Sequence, residues 1–199
     1  HSNLKTCYFI RYADDWIILT DSKEDAERLK YKAKRYLKET LKLELSDEKT
    51  LITNVCSRPI KFLGVEIKMY NKNGTLVNRV SPDRDRFDRK MKELSRELFY
   101  LRKTSTLDKD RLIQNITRVN SIIVGLINYY SMCDQISVKV RKYAWLLKYT
   151  AYKSLKRYGG KWVRANQVSN LIGLHHGHLA HIPAVEYKGM WIGVTDINF

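Results

Sequence analysis

Two runs rich in aromatic and β-branched residues open the chain: Thr6 to Tyr12, and Trp16 to Thr20 after the short polar break Ala13-Asp14-Asp15. Their pattern predicts a β-hairpin. Asp21 or Ser22 can then cap a helix, with Asp25 placed for a capping box on Ser22. Ala26, Leu29, Ala33, Leu37 and Leu41 repeat at helical spacing behind that cap. Leu51-Ile52-Thr53 and Phe62 to Met69 read as further strands, and Asn73-Gly74 turns the second into Leu76-Val77. At Ser81-Pro82 the character changes, because a capping hydroxyl, a proline and the acids Asp83 and Asp85 mark a helix start. Phe87, Met91, Leu94, Leu98 and Leu101 form one apolar stripe, and Leu112, Ile113, Ile116, Val119, Ile122, Ile123, Leu126 and Ile127 form a second. A third helix, about Val138 to Arg157, uses Ala144, Leu147, Ala151 and Leu155 and stops at Gly159-Gly160. From Lys161 onward periodicity is weak, which predicts irregular structure with one small hairpin, and residues 166–199 take no firm assignment. The chain is therefore expected to be α+β, with a mixed part over residues 1–81 and a helical bundle over residues 82–199.

Composition narrows the partners. The 199 residues are 44% apolar, enough for a real core, yet carry a formal charge of +16. The charge is uneven: 16 basic and 11 acidic groups precede Pro82, and 21 basic and 10 acidic groups follow. Between Asp134 and Glu186 there is no acid at all, while Lys139, Arg141, Lys142, Lys148, Lys153, Lys156, Arg157, Lys161 and Arg164 fall inside. Such a run repels itself unless an anion lies against it, so a polyanion, nucleic acid first, is the expected partner. No stretch reaches the roughly 18 apolar residues of a membrane span; Ile122 to Tyr130 is interrupted by Gly125 and Asn128. No membrane partner is expected. Cys7, Cys56 and Cys133 are odd in number and far apart, which disfavours a disulfide scaffold and suits a reducing compartment. His175, His176, His178 and His181 lack a cysteine partner or a helical His-Glu-x-x-His pattern, so a surface loop or an RNA contact is preferred to zinc.

Asp14 and Asp15 are the most informative pair. Two adjacent anions between apolar strands are costly unless a cation holds them. At a hairpin tip both carboxylates occupy one small exposed volume, as oxygen ligands for Mg²⁺ do. Such a pair suits two-metal phosphoryl transfer, although an Asp-Asp that merely makes the turn is the plainer reading in isolation.

Context extends the pair to three boxes in order. Tyr12-Ala13-Asp14-Asp15 resembles the Tyr-x-Asp-Asp box of reverse transcriptases, Ser46-Asp47-Glu48-Lys49-Thr50 the lysine-bearing loop, and Phe62-Leu63-Gly64 the primer-grip hairpin. Ile122 to Tyr130, with its Gly-Leu-Ile-Asn-Tyr-Tyr, is similar to the thumb, or maturase X domain, of group II intron-encoded proteins, as are Leu147-Lys148-Tyr149 and Lys153 to Tyr158. The resemblance covers most of residues 8–165. It implies a partial polymerase palm, an antiparallel sheet with a helix, over residues 1–81, then an α-helical thumb/maturase domain over residues 82–199. It further implies Mg²⁺ held by Asp14 and Asp15, with Lys49 assisting catalysis. Tyr12 and Ala13 would lie near the primer end or nucleotide, and Lys61 and Gly64 would position the primer backbone. Phe62 and Leu63 are expected to be packing residues, and Asn128, Tyr129 and Tyr130 a structural helix end.

In that family a further metal-binding aspartate sits on an earlier palm strand, and fingers bind template and nucleotide. Neither is found in these 199 residues, so the expectation is the C-terminal part of a reverse transcriptase/maturase that binds RNA but does not polymerise alone. Its partners would be group II intron RNA and an RNA template with a DNA primer, in a bacterial cytoplasm or an organelle. Arg141, Lys142, Lys148, Lys153, Lys156, Arg157, Lys161 and Arg164 are the candidate RNA contacts. Tyr143, Trp145, Tyr149, Tyr152, Tyr158 and Trp162 interleave with them, and one or two of these six are expected to touch RNA. The competing readings are an RNA-binding splicing factor with a non-catalytic palm relic, or a reverse transcriptase of another, retron-like lineage. The Asp14-Asp15 pair disfavours the first and the Asn128-Tyr129-Tyr130 segment the second.

Overall fold

A computed structural model describes residues 7–171 and 180–197. The chain is α+β and divides into two compact units, His1–Arg79 and Val80–Phe199.

In the first unit β1 (Tyr8–Tyr12) pairs antiparallel with β2 (Asp15–Leu19), the register placing Tyr12 opposite Asp15. The two-residue connection forces Ala13 to φ 51°, a left-handed conformation costing an alanine about 1 kcal/mol. Helix α1 (Lys23–Glu39) starts as the sequence predicts: the Asp25 N–H donates to Ser22 Oγ at 3.1 Å, and Ser22 Oγ donates back to the Asp25 carboxylate at 2.9 Å. Arg28 closes the cap by donating to the same carboxylate at 2.9 Å. A second antiparallel sheet has the order β3 (Ile60–Phe62), β4 (Val65–Lys72), β5 (Thr75–Pro82). Its turns, Leu63-Gly64 and Asn73-Gly74, hold positive φ at both residues, the mirror-image turn that matches strand twist. Leu51-Ile52-Thr53 forms no strand, because its neighbours on both sides are loop and it has no ladder partner. Little apolar surface is hidden in this unit: among its described residues only Val65 is a buried apolar side chain, and Tyr8, Phe9, Ile10 and Tyr12 are exposed.

The second unit holds the main core. Helices α2 (Arg84–Tyr100), α3 (Lys109–Tyr130) and α4 (Ile136–Leu155) bury Phe87, Met91, Leu94 and Leu98 against Ile116, Val119, Ile123, Leu147 and Ala151. Those are the stripes expected from the spacing. The start of α2 lies two residues later than expected: Ser81 and Pro82 finish β5, and Asp83 caps by accepting the Arg86 N–H at 2.9 Å. Past α4, Gly159 at φ 80° and a Gly160 N–H bonded to the Leu155 carbonyl at 3.1 Å end the helix and reverse the chain.

The C-terminal segment is more ordered than its weak periodicity suggests. Strands β6 (Lys161–Arg164), β7 (His181–Tyr187) and β8 (Met190–Gly193) form an antiparallel sheet around Val163, Val168, Leu171, Ile182 and Ala184. The expected hairpin is β7–β8. The strand beginning at Lys161 was not expected, because four residues are too few to show a period. This segment is tied to the helices by a buried amide. Asn120 on α3 donates to the Gly193 carbonyl at 2.9 Å and accepts from the Thr195 N–H at 2.9 Å. Asn170 brackets the same glycine from the other side, at 2.9 and 2.8 Å. A Cβ on Gly193 would come within 2.8 Å of the Val168 side chain and 3.0 Å of the Ile182 side chain, so any larger residue would have to displace the core of the small sheet.

Asn120→Ala is expected to lower the unfolding free energy by about 2 kcal/mol, since a buried Thr195 N–H would lose its acceptor. Urea unfolding measures this. A loss below about 0.5 kcal/mol would contradict the clasp.

Candidate active-site hairpin and nucleic-acid interface

Asp14 lies in the β1–β2 turn and Asp15 opens β2, and both are exposed. The turn is braced from behind: Arg11 Nε donates to the Ala13 carbonyl at 2.8 Å, so the guanidinium holds the backbone and leaves the two carboxylates alone. Among the described residues neither aspartate side chain has a hydrogen bond or ion pair. Two adjacent carboxylates fit Mg²⁺ in donor chemistry. They do not complete a site, because among the described residues no third Asp, Glu, His or Cys joins them. Tyr12, exposed at the end of β1, and Ala13 flank the pair.

Lys49 sits in a turn closed by the Thr50 N–H and hydroxyl, which donate to the Ser46 carbonyl at 3.0 and 2.7 Å. The turn is anchored to α1 rather than left loose. Lys34 donates to Asp47 at 2.6 Å, Lys30 lies 3.7 Å from the same residue, and Lys30 also donates to the Thr50 carbonyl at 2.8 Å. The Lys34 hydrogen bond holds the Asp47 carboxyl below its ordinary range. Lys49 itself is exposed and makes no ion pair with Glu48. Lys61 and Gly64 share the β3–β4 hairpin, where Lys61 pairs with Glu66 at 3.6 Å and Gly64 takes φ 77°. Phe62 and Leu63 are half-buried there.

In the second unit the acid-free run does find acids, supplied by distant elements. Lys148 pairs with Asp196 at 2.9 Å, both half-buried. Lys142 lies 3.4 Å from Asp88 on α2, and the Tyr143 hydroxyl donates to Asp88 at 2.6 Å. Arg157 donates to the Arg102 carbonyl at 2.5 Å, in the 3-10 turn that follows α2. Three of the eight candidate cations thus have internal work. Arg141, Lys156, Lys161 and Arg164 are exposed with no ion pair among the described residues, and Lys153 has only the Tyr149 ring, 5.2 Å away.

The six interleaved aromatics sort in the same way. The Tyr158 hydroxyl is buried between the carbonyls of Leu101 and Thr104, at 2.8 and 2.7 Å, and Tyr143 is spent on Asp88. Tyr152 and Trp162 stack on each other with centroids 4.8 Å apart. Trp145 and Tyr149 stack on the exposed side of α4. Of Asn128, Tyr129 and Tyr130, only Tyr130 is buried, packed edge-on against Phe87 at 5.2 Å. His181 opens β7, while His175, His176 and His178 lie outside the described residues. Among the described residues no helix is long and apolar enough to cross a membrane.

Residues 1–67, which hold the hairpin and its aspartate pair, match the family model described as reverse transcriptase (RNA-dependent DNA polymerase). The chain is also 31% identical over 174 residues to the group II intron-encoded protein LtrA of Lactococcus lactis subsp. cremoris, covering 76% of this chain and 28% of that protein. LtrA of strain MG1363 matches equally. Over these spans the chain is similar to reverse transcriptases and to a group II intron-encoded protein, and it spans about 28% of the length of the curated relatives it matches.

The Tyr143 and Lys142 hydrogen bonds hold the Asp88 carboxyl below its ordinary value of 3.8. A depressed folded-state pKa means the tether stabilises above the unfolded value and is lost as pH falls through the folded one. Tyr143→Phe is expected to move the Asp88 pKa up toward 3.8, read by carboxyl NMR titration. An unchanged titration would remove the tether.

Proposed function

We propose that the chain is the C-terminal palm and thumb portion of an RNA-directed DNA polymerase that also acts as a maturase on group II intron RNA. The reading rests most on the free Asp14-Asp15 pair at a braced hairpin tip inside the segment that matches reverse transcriptases. In the complete protein Asp14 and Asp15 would hold Mg²⁺ together with a further carboxylate. The bound ion would supply the positive charge that favours an attacking primer hydroxyl and a pyrophosphate leaving group. Asp14, inside the turn, is the direct ligand, and Asp15, fixed by its pairing with Tyr12, supports it. Tyr12 and Ala13 border the primer end or nucleotide, Lys49 offsets triphosphate charge, and Lys61 with Gly64 positions the primer backbone. The exposed apolar side chains Tyr8, Phe9, Ile10 and Tyr12 fit a hairpin that belongs to a larger sheet.

The thumb would bind RNA or the RNA–DNA product through phosphates, with Arg141, Lys153, Lys156, Lys161 and Arg164 as principal contacts. Lys142, Lys148 and Arg157 serve more through the acids and carbonyl they hold. Maturase action on this reading is binding: screening intron phosphates stabilises the folded ribozyme, which performs the splicing chemistry.

In the complete protein, replacing Asp14 and Asp15 with Ala is expected to abolish cDNA synthesis and leave splicing intact. Surviving synthesis would refute the catalytic assignment. For the 199-residue chain, log affinity for RNA should fall linearly with log salt. Replacing Arg141, Lys156, Lys161 and Arg164 with Gln should flatten the slope by about 3, whereas replacing Lys142 and Lys148 should not. A salt-independent affinity of the unmodified chain would eliminate the clamp.

A further inference from the structure

Arg141, Trp145, Tyr149 and Lys153 succeed one another at four-residue intervals on α4, so they form a single column on one face of the helix. The rings of Trp145 and Tyr149 are nearly parallel, 7° apart, with centroids at 5.1 Å. Lys153 lies over the Tyr149 ring from the next turn. Tyr149 is therefore engaged from the turn before it and the turn after it. Among the described residues Trp145 has an aromatic neighbour on one side only, and it is 70% exposed. The turn beyond it carries Arg141, exposed and without an ion pair among the described residues.

We infer that Trp145 is a stacking platform for one unpaired base of bound RNA, with Arg141 and Lys153 taking the flanking phosphates. This rests on the RNA-binding reading above and selects within it. An indole left that open forfeits the burial a large aromatic normally gains, unless a partner covers it. The stack on Tyr149 fixes the indole in place before any ligand arrives, which lowers the ordering cost of binding. The surroundings select the partner's chemistry: α4 contains no acidic residue, and its exposed cations border the rings. A protein interface typically depletes charge at its centre; aromatic faces set among cations are the signature of single-stranded nucleic acid. The base must be unpaired, because bases inside a duplex already stack on each other.

The test compares the unmodified 199-residue chain with Trp145→Ala, Trp145→Phe and Arg141→Gln, using a 12-nucleotide oligo(A) RNA and a 12-base-pair RNA duplex at matched salt concentrations. Trp145→Ala is expected to weaken oligo(A) binding about tenfold with an unchanged salt slope, and to leave duplex binding unaltered. Trp145→Phe should recover most of the affinity, and Arg141→Gln should reduce the salt slope. Trp145 is exposed, so the thermal midpoint of each variant should match the unmodified chain. If the unmodified chain binds oligo(A) and Trp145→Ala binds it equally well, the platform is overturned while the clamp stands. If the unmodified chain binds neither RNA, the clamp itself fails. Equal losses on oligo(A) and duplex, or a change of oligomeric state on Trp145→Ala, would also overturn the platform, the latter in favour of a contact between copies.

Discussion

The second unit depends on one buried amide. Asn120 reaches from α3 to the Gly193 carbonyl and the Thr195 N–H, and in doing so docks the C-terminal sheet onto the helices. That docking also brings Asp196 to Lys148 on α4. One side of α4 is thereby covered and its lysine neutralised, while the other side keeps Arg141, Trp145, Tyr149 and Lys153 in solvent. A buried polar group whose partners are all present is rigid, and removing one partner leaves the others unsatisfied. The pairing of Lys148 thus follows from where an uncharged side chain sits, whereas Lys142 is held by Asp88 on α2.

The first unit uses its interactions differently. Its polar contacts hold backbone and loop: Arg11 on the Ala13 carbonyl, Lys30 on the Thr50 carbonyl, Lys34 on Asp47. The groups with proposed chemical roles at the hairpin and the lysine loop, Asp14, Asp15 and Lys49, are left without partners among the described residues. Cations brace the scaffold there, so the carboxylates at the hairpin stay available for a metal. The left-handed Ala13 serves the same end, since its backbone conformation lets a two-residue turn set Asp14 at the tip beside Asp15.

Local pattern made much of this legible. The Ser22 cap, the two apolar helix stripes, the glycine stop after α4 and the Asp14-Asp15 turn all arise from residues within a few positions of one another. What stayed hidden depends on contacts far apart in the chain. Asp88 and Tyr143 are 55 residues apart, and Asn120 and Thr195 are 75 apart; no spacing rule joins them. That is why, among the described residues, the eight candidate cations of the acid-free run resolve into three with internal partners and five without ion pairs. Short strands such as β6 carry too few residues to show a period, and Pro82 reads as a helix start although it ends a strand. The Arg141-Trp145-Tyr149-Lys153 column was readable from four-residue spacing alone, but the neighbouring Leu147-Ala151-Leu155 stripe marks the buried face more strongly.

On the proposed reading, internal pairing decides which cations on the helical unit meet RNA. Lysine acetylation footprinting by mass spectrometry, on the chain with and without bound RNA, tests it most directly. Lys153, Lys156 and Lys161 should become protected when RNA binds, with Lys142 and Lys148 unchanged. Protection of Lys142 and Lys148, with Lys153, Lys156 and Lys161 still reactive, would contradict it.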